Sequence, residues 1–132
     1  MREIEFRGKM FHGFWVHGYY TKCRYNNAEG YEKIAHFINE LDGHEDIDSP
    51  LEIKIETLGQ YTGLKDKNGK KIFEGDCLRS GDDIMIVIFR KDLASFALSK
   101  QGWLHDHFFQ EAVSNSECEI IGNQHDNPEL LR

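Results

Sequence analysis

The stretch "QYTGLKDKNGKKIFEGDCLR", residues 60–79, sets a lysine-rich turn between two apolar segments. Asn68-Gly69 is the kind of pair that supplies positive φ at both central positions of a type I′ turn, so the segment reads as a β-hairpin. Gly63 before the turn and Gly75 after it mark tight or bulged corners. Lys65, Lys67, Lys70 and Lys71 then stand on an exposed loop, a common way of keeping a strand edge soluble. The competing reading is a phosphate-gripping loop. The glycine spacing that ends in Gly-Lys-Ser/Thr is missing and no helix follows, so the segment is not a P-loop.

Working outward, most of the chain carries strand patterns. "REIEFRGKM" (2–10) alternates charged residues with Ile4 and Phe6, and "GFWVHGYYTKC" (13–23) is rich in aromatic and β-branched residues. The two read as a hairpin, with Trp15 and Tyr19 on one face, Val16 and Tyr20 on the other, and the aromatics expected in the core. "RYNNAEG" (24–30) is a polar turn. "YEKIAHFINELDG" (31–43) fits either a short helix, through Tyr31, Ile34, Ala35, Ile38 and Leu41, or a strand buried on both faces.

"LEIKIETL" (51–58) alternates, with Leu51, Ile53 and Ile55 on one face, and predicts a strand. "DIMIVIFRKD" (83–92), "SFALSK" (95–100) and "ECEIIGNQ" (117–124) predict three more. "GWLHDHFFQEAV" (102–113) has the spacing of a short helix, and Pro128 is expected to end regular structure in the tail. With no internal repeat and no long linker, the expectation is one mainly β, compact domain over 1–132. Its core is expected to be an SH3-like or irregular β-barrel with one or two short helices, the run "FEGDCLR", "DIMIVIFR" and "SFALS" resembling a meander of such a barrel.

At 132 residues, 39% apolar and 30% charged, the composition is that of one globular domain. Such a chain buries roughly two-thirds of its unfolded surface and needs no staples. No apolar run approaches the roughly 18 residues of a membrane span, and "MREIEFRGKM" has no hydrophobic signal core, so the chain is expected to stay soluble inside a cell, with no membrane partner. Cys23, Cys77 and Cys118 are odd in number and widely spaced, as reduced thiols are. The net charge of −7 argues against a general nucleic-acid coat. It is distributed in blocks: +2 over 1–38, −6 over 39–59, +2 over 60–79 and −5 over 80–132.

Chemistry-bearing constellations are weak. His12, His17, His105 and His107 have no zinc-ligand spacing, and Asp42, Asp46 and Asp48 lack the glycine of a calcium loop. The cysteines have no catalytic signature and no Gly-x-Ser-x-Gly elbow occurs. The expectation is therefore no enzyme, no catalytic residues, no metal and no cofactor. "WLHDHFF", with Trp103, Phe108 and Phe109, reads as core packing, with an oligomer contact as the rival.

Four blocks then carry a resemblance: "REIEFRGKM" (2–10), "WVHGYY" (15–20), "GQYTGLKDKNGKKIFEGD" (59–76) and "EIIGNQHDNPELL" (119–131). In these residues and in their order the chain resembles the YopX-like family of phage and prophage proteins. The resemblance spans the chain, although 24–50 and 80–115 carry no block of it. It implies a compact β fold, a phage or prophage origin and the cytoplasm of a bacterial host, and it brings no catalytic residues. The family pattern is more apolar around Gln124 and His125, where this chain reads "NQHDN".

Two functions compete. One is an accessory protein that oligomerises or binds a protein partner, in keeping with the acidic charge, the charge blocks and the aromatic content. The other is a nucleic-acid-binding module using Arg2, Arg7, Lys9, Lys65, Lys67, Lys70, Lys71 and Arg79, with Tyr61 for stacking.

Overall fold

The computed structural model describes residues 3–40, 50–102, 107–108 and 117–131. Two compact units emerge, Met1–Gln60 and Tyr61–Arg132. In the first, β1 (Phe6–Met10), β2 (Trp15–Asn26), β3 (Glu32–Glu40) and the start of β4 (Leu51–Lys65) pair antiparallel in chain order. β1 also pairs with β4, from Phe6 opposite Gln60 to Met10 opposite Ile53. That pairing closes a small four-stranded barrel. Val16, Ile38 and Ile53 fill it, with Phe6, Met10, Tyr20, Leu51 and Leu58 packed against them.

The ambiguous segment after residue 30 is a strand. β3 pairs residue by residue with β2 from Gly18 opposite Glu40 to Asn26 opposite Glu32, and these cross-strand bonds outweigh the helical spacing of Tyr31, Ile34, Ala35 and Ile38. The alternation expected of 51–58 breaks at Ile55, which is 44% exposed. The β1–β4 register shifts between Arg7 and Lys9, so β4 carries extra residues there. Thr57 staples this bulge: its Oγ1 accepts the Lys9 N–H at 2.8 Å and its hydroxyl donates to the Lys54 carbonyl at 2.6 Å.

The second unit begins with a hairpin between the end of β4 and β5 (Lys71–Phe73), and contains the sheet β10-β6-β7-β8-β9. Its strands are β6 (Asp76–Ser80), β7 (Asp83–Arg90), β8 (Ser95–Ser99), β9 (His107–Phe108) and β10 (Glu119–Asn123), all antiparallel. The expected meander is thus β6–β7–β8, while the closed ring lies in the first unit. Ile72, Leu78, Met85, Val87, Leu98 and Cys118 form the core of the second unit.

Three local expectations change. His107 and Phe108 form β9 beside Leu98 and Ala97 rather than part of a helix, and the rest of 103–113 lies outside the described residues. Pro128 opens a 3-10 helix, Pro128–Leu131, where a proline is tolerated because its missing N–H has no partner to lose. Cys23 is exposed while Cys77 and Cys118 are buried, all three as free thiols. Asp42, Asp46, Asp48, Trp103, His105 and Phe109 lie outside the described residues. Among the described residues no helix is long and apolar enough to cross a membrane.

Candidate interaction surfaces

One five-residue turn occurs twice. In "DKNGK" the Asp66 N–H donates to the Lys70 carbonyl at 2.8 Å and the Gly69 N–H to the Asp66 carbonyl at 3.0 Å. Asp66 Oδ1 accepts the N–H groups of Asn68 and Lys70, both at 2.9 Å. "NAEGY" repeats this: Asn27 N–H to the Tyr31 carbonyl and Gly30 N–H to the Asn27 carbonyl, both at 2.9 Å, with Asn27 Oδ1 accepting from Glu29 and Tyr31 at 3.0 Å. Each turn has an Asx side chain at its first position and a glycine at its fourth, Gly30 at φ 87° and Gly69 at φ 81°. Asn68 is not at positive φ, so the turn is not type I′. It is a turn closed by a glycine bulge, and the Asx carboxylate rather than an Asn-Gly centre holds it.

The lysine-rich hairpin is therefore well braced. Asp66 is buried, and its Oδ2 accepts the Ile120 N–H from β10 at 3.1 Å, while Lys67 N–H donates to the Cys118 carbonyl at 3.0 Å. Burial pushes the Asp66 carboxyl up. The amides of Ile120, Lys70 and Asn68 and the Lys70 charge outweigh burial and hold it below the usual carboxylate range. The Gln124 N–H donates to the Gly75 carbonyl at 2.9 Å, so the "EGD" and "GNQHDN" blocks are tied as well. Asn123 Oδ1 accepts from His125 and Asp126 at 3.0 and 2.9 Å. These blocks build a scaffold.

The basic residues fall into separate places. Arg2 lies outside the described residues. In the first unit Arg7 is 8% exposed, with its guanidinium 4.8 Å from the Trp15 ring centre, and the Lys9 ammonium lies 5.9 Å from the same ring. In the second unit Tyr61 is buried against Phe73, ring centres 5.6 Å apart, and Lys71 lies 5.3 Å from its ring. No face of Tyr61 is left for a base to stack on, because a residue that packs the hairpin from inside is closed to solvent. Lys67 and Arg79 share the Glu119 carboxylate, at 3.8 and 3.3 Å. Lys65 and Lys70 stand exposed on the hairpin.

The histidines do not converge. His12 packs edge-on against Phe14, ring centres 5.1 Å apart, and His36 Nδ1 shares a 2.6 Å hydrogen bond with the Tyr20 hydroxyl. Among the described residues no group of three or more His, Cys, Asp or Glu is placed to hold a metal ion. An open cleft of about 390 Å³ runs between Ile84 and Ile86 of β7, Lys100 after β8, and Leu130 and Leu131. Its Lys100 is ion-paired with Asp83.

The most exposed organised surface was not singled out by the sequence. Among the described residues β2 pairs with β1 as far as Gly18, and β3 with β4 at Phe37 and Ile38. Residues 19–36 therefore extend from the barrel as a two-stranded arm capped by the Asn27 turn, with Tyr20 at its base still packed against the barrel core and Ala35 buried. Tyr19, Tyr31 and Ile34, read as apolar-face residues, and Tyr25, read as part of a polar turn but lying in β2, are 57%, 66%, 48% and 52% exposed. A two-stranded ribbon has no second layer to bury them. No sequence signal marked this arm: the two strand patterns, 2–10 and 13–23, are nearly equal in length, and the excess of β2, 12 residues against 5 in β1, exists only in the fold. The β1–β2 turn adds Phe11 and Phe14, 64% and 73% exposed.

A family model described as "YopX protein" matches residues 5–132, which takes in both units. The crystal structure of protein EF1440 from Enterococcus faecalis superimposes with a TM-score of 0.55 at 21% identity, covering 100% of both chains. At that identity the likeness is one of fold. No curated protein sequence matches the chain.

Proposed function

The chain belongs to the YopX family, and we propose that it is a non-enzymatic interaction module whose working surface is the β2–β3 arm. In this reading it is a phage or prophage accessory protein in the cytoplasm of a bacterial host, oligomerising or holding a protein partner. The observation that carries the reading is the arm itself, an ordered ribbon whose edges from Thr21 to Ile34 pair with no third strand among the described residues, with four large apolar side chains in water. Such a surface is a template for strand addition, which natural proteins cover or blunt unless it is used. Net charge supports a protein partner over nucleic acid, because −7 repels a polyanion.

The test places a photo-crosslinking residue at Tyr31 of the full chain in bacterial cells, with His17 on the barrel as the control position. Adducts at position 31 and none at 17 are expected. Adducts at neither position, or equally at both, overturn the reading.

Lys65 and Lys70, with Lys67 beside them, favour a second reading in which the basic hairpin lies along a nucleic-acid backbone. It requires a salt-sensitive shift of DNA or RNA that Lys65, Lys67, Lys70 and Lys71→Glu removes. Failure of single- and double-stranded probes to shift at low salt excludes it.

A further inference from the structure

The arm's two edges are not equivalent. In an antiparallel pair the N–H and C=O of one residue point the same way, and successive residues alternate sides. The Asn27 N–H to Tyr31 carbonyl bond fixes the phase. Cys23 and Tyr25 turn their backbone groups toward Ala35 and Lys33 of β3, so Lys22, Arg24 and Asn26 turn theirs outward. On β3 the outward residues are Glu32, Ile34 and His36, but the Phe37–Glu52 pairing already brings Ile53 of β4 to the His36 carbonyl. Among the described residues the longer open edge is therefore that of β2, where every residue from Thr21 to Asn26 is exposed.

A strand laid on this edge meets two different faces. Lys22 and Arg24 lie on one face of the ribbon with His36 and Ile34, and Thr21, Cys23 and Tyr25 lie on the other with Phe37, Ala35 and Lys33. Lys22 has no ion-pair partner among the described residues. Arg24 has Glu32 at 3.7 Å, with both side chains well exposed. A pair of that kind holds its members weakly, so both cations are open to an incoming carboxylate. The other face offers Tyr25, 52% exposed, beside the exposed Cys23. A second copy of β2 is a poor occupant. Centring such a pair on Cys23 sets Lys22 against Arg24, and centring it on Lys22 or Arg24 sets like against like. Centring farther out meets the Asn27 turn or the pairs with β1. The same two cations that turn away a copy of this strand favour an acidic one.

We propose that the β2 edge takes an extended acidic segment of a partner protein as an added strand, with carboxylates opposite Lys22 and Arg24 and apolar side chains opposite Cys23 and Tyr25. This rests on the arm being the working surface and specifies its occupant. Side chains alternate along the added strand, so its acids share the charged face and the residues between them cover Cys23 and Tyr25. The acidic residues also exchange the backbone hydrogen bonds, because Lys22 and Arg24 are the ones whose N–H and C=O point outward.

The test is nuclear magnetic resonance of the full chain titrated with a short peptide alternating glutamate and valine. The Lys22, Arg24 and Asn26 amides are expected to shift and to exchange more slowly with solvent, while those of Glu32 and Ile34 stay. Lys22→Glu is expected to weaken the peptide by about fivefold or more, and Lys33→Glu, the same charge change on the other strand, to weaken it less. N-methylation of the glutamates, whose N–H groups point at β2 in this pairing, abolishes binding, and N-methylation of the valines leaves most of it. A peptide that shifts no β2 amide overturns the proposal. So does one that binds as well with N-methylated glutamates, or with lysine in place of glutamate. If the peptide fails while position 31 still yields adducts in cells, the arm reading survives that result. If both fail, both fall.

Discussion

Asp66 Oδ2 accepts the Ile120 amide hydrogen across 54 residues of sequence, at 3.1 Å, while its other oxygen holds the Asn68 and Lys70 amides. One carboxylate thus both closes the lysine-rich turn and fastens it to β10. Asp66→Asn keeps the size but turns an amide N–H₂ toward at least one backbone donor. It is expected to lower stability by about 1–3 kcal/mol, read as a lower urea midpoint at neutral pH.

The same carboxylate sets a pH dependence. Its folded-state pKa lies below the unfolded value because the three amides and Lys70 outweigh burial. Its contribution is therefore full above the ordinary carboxylate range and is lost as pH falls through the lower, folded value. The gap between wild type and Asp66→Asn in urea midpoint should be constant from neutral pH down to about pH 5 and should shrink below about pH 4. A gap unchanged in acid would contradict the assignment.

The turn geometry separates Asn68 from Gly69. Only Gly69 is at positive φ, so Gly69→Ala is expected to cost about 1–2 kcal/mol. Asn68→Ala should cost well under that, its side chain being exposed and its φ ordinary. Equal costs at the two positions would restore the type I′ turn. Thermal or urea unfolding of the two variants decides.

Thr57 is the peg of the β4 bulge, joined to Lys9 and Lys54. Thr57→Val fills nearly the same space without the hydroxyl and leaves the Lys9 N–H without that acceptor. A loss of about 1–3 kcal/mol is expected, with Thr57→Ser recovering most of it. Amide exchange at Lys9 should quicken in the valine variant and not in the serine one.

Ala94, in the turn between β7 and β8, is the one non-glycine at positive φ among the described residues, at 48°. The left-handed region costs an alanine about 1–2 kcal/mol, and glycine returns part of that as greater unfolded-state entropy. Ala94→Gly is thus expected to raise the unfolding midpoint modestly. A fall would mean that the methyl packs usefully.

Local patterns in the amino-acid sequence determine a good deal of this protein. Alternation in 2–10, the short apolar runs in 83–92 and 95–100 and the turn residues beside them predict strands, because side-chain pattern and turn chemistry act over a few residues. The blocks around 59–76 and 119–131 specify the family, and in the fold these same residues tie hairpin to strand. Tertiary structure decided what depends on partners far apart in the chain. Residues 32–40 became a strand because β2 was there to pair with, and Ile55 faced water because closing the barrel forced a bulge into β4. Tyr61, offered by the sequence as a stacking platform, went inside against Phe73, while Tyr19, Tyr25 and Tyr31 came out on the arm. Composition makes each of these tyrosines equally apolar. Which are wetted depends on where the pairing partners of β2 and β3 end, and that is set by strand lengths matched only in three dimensions.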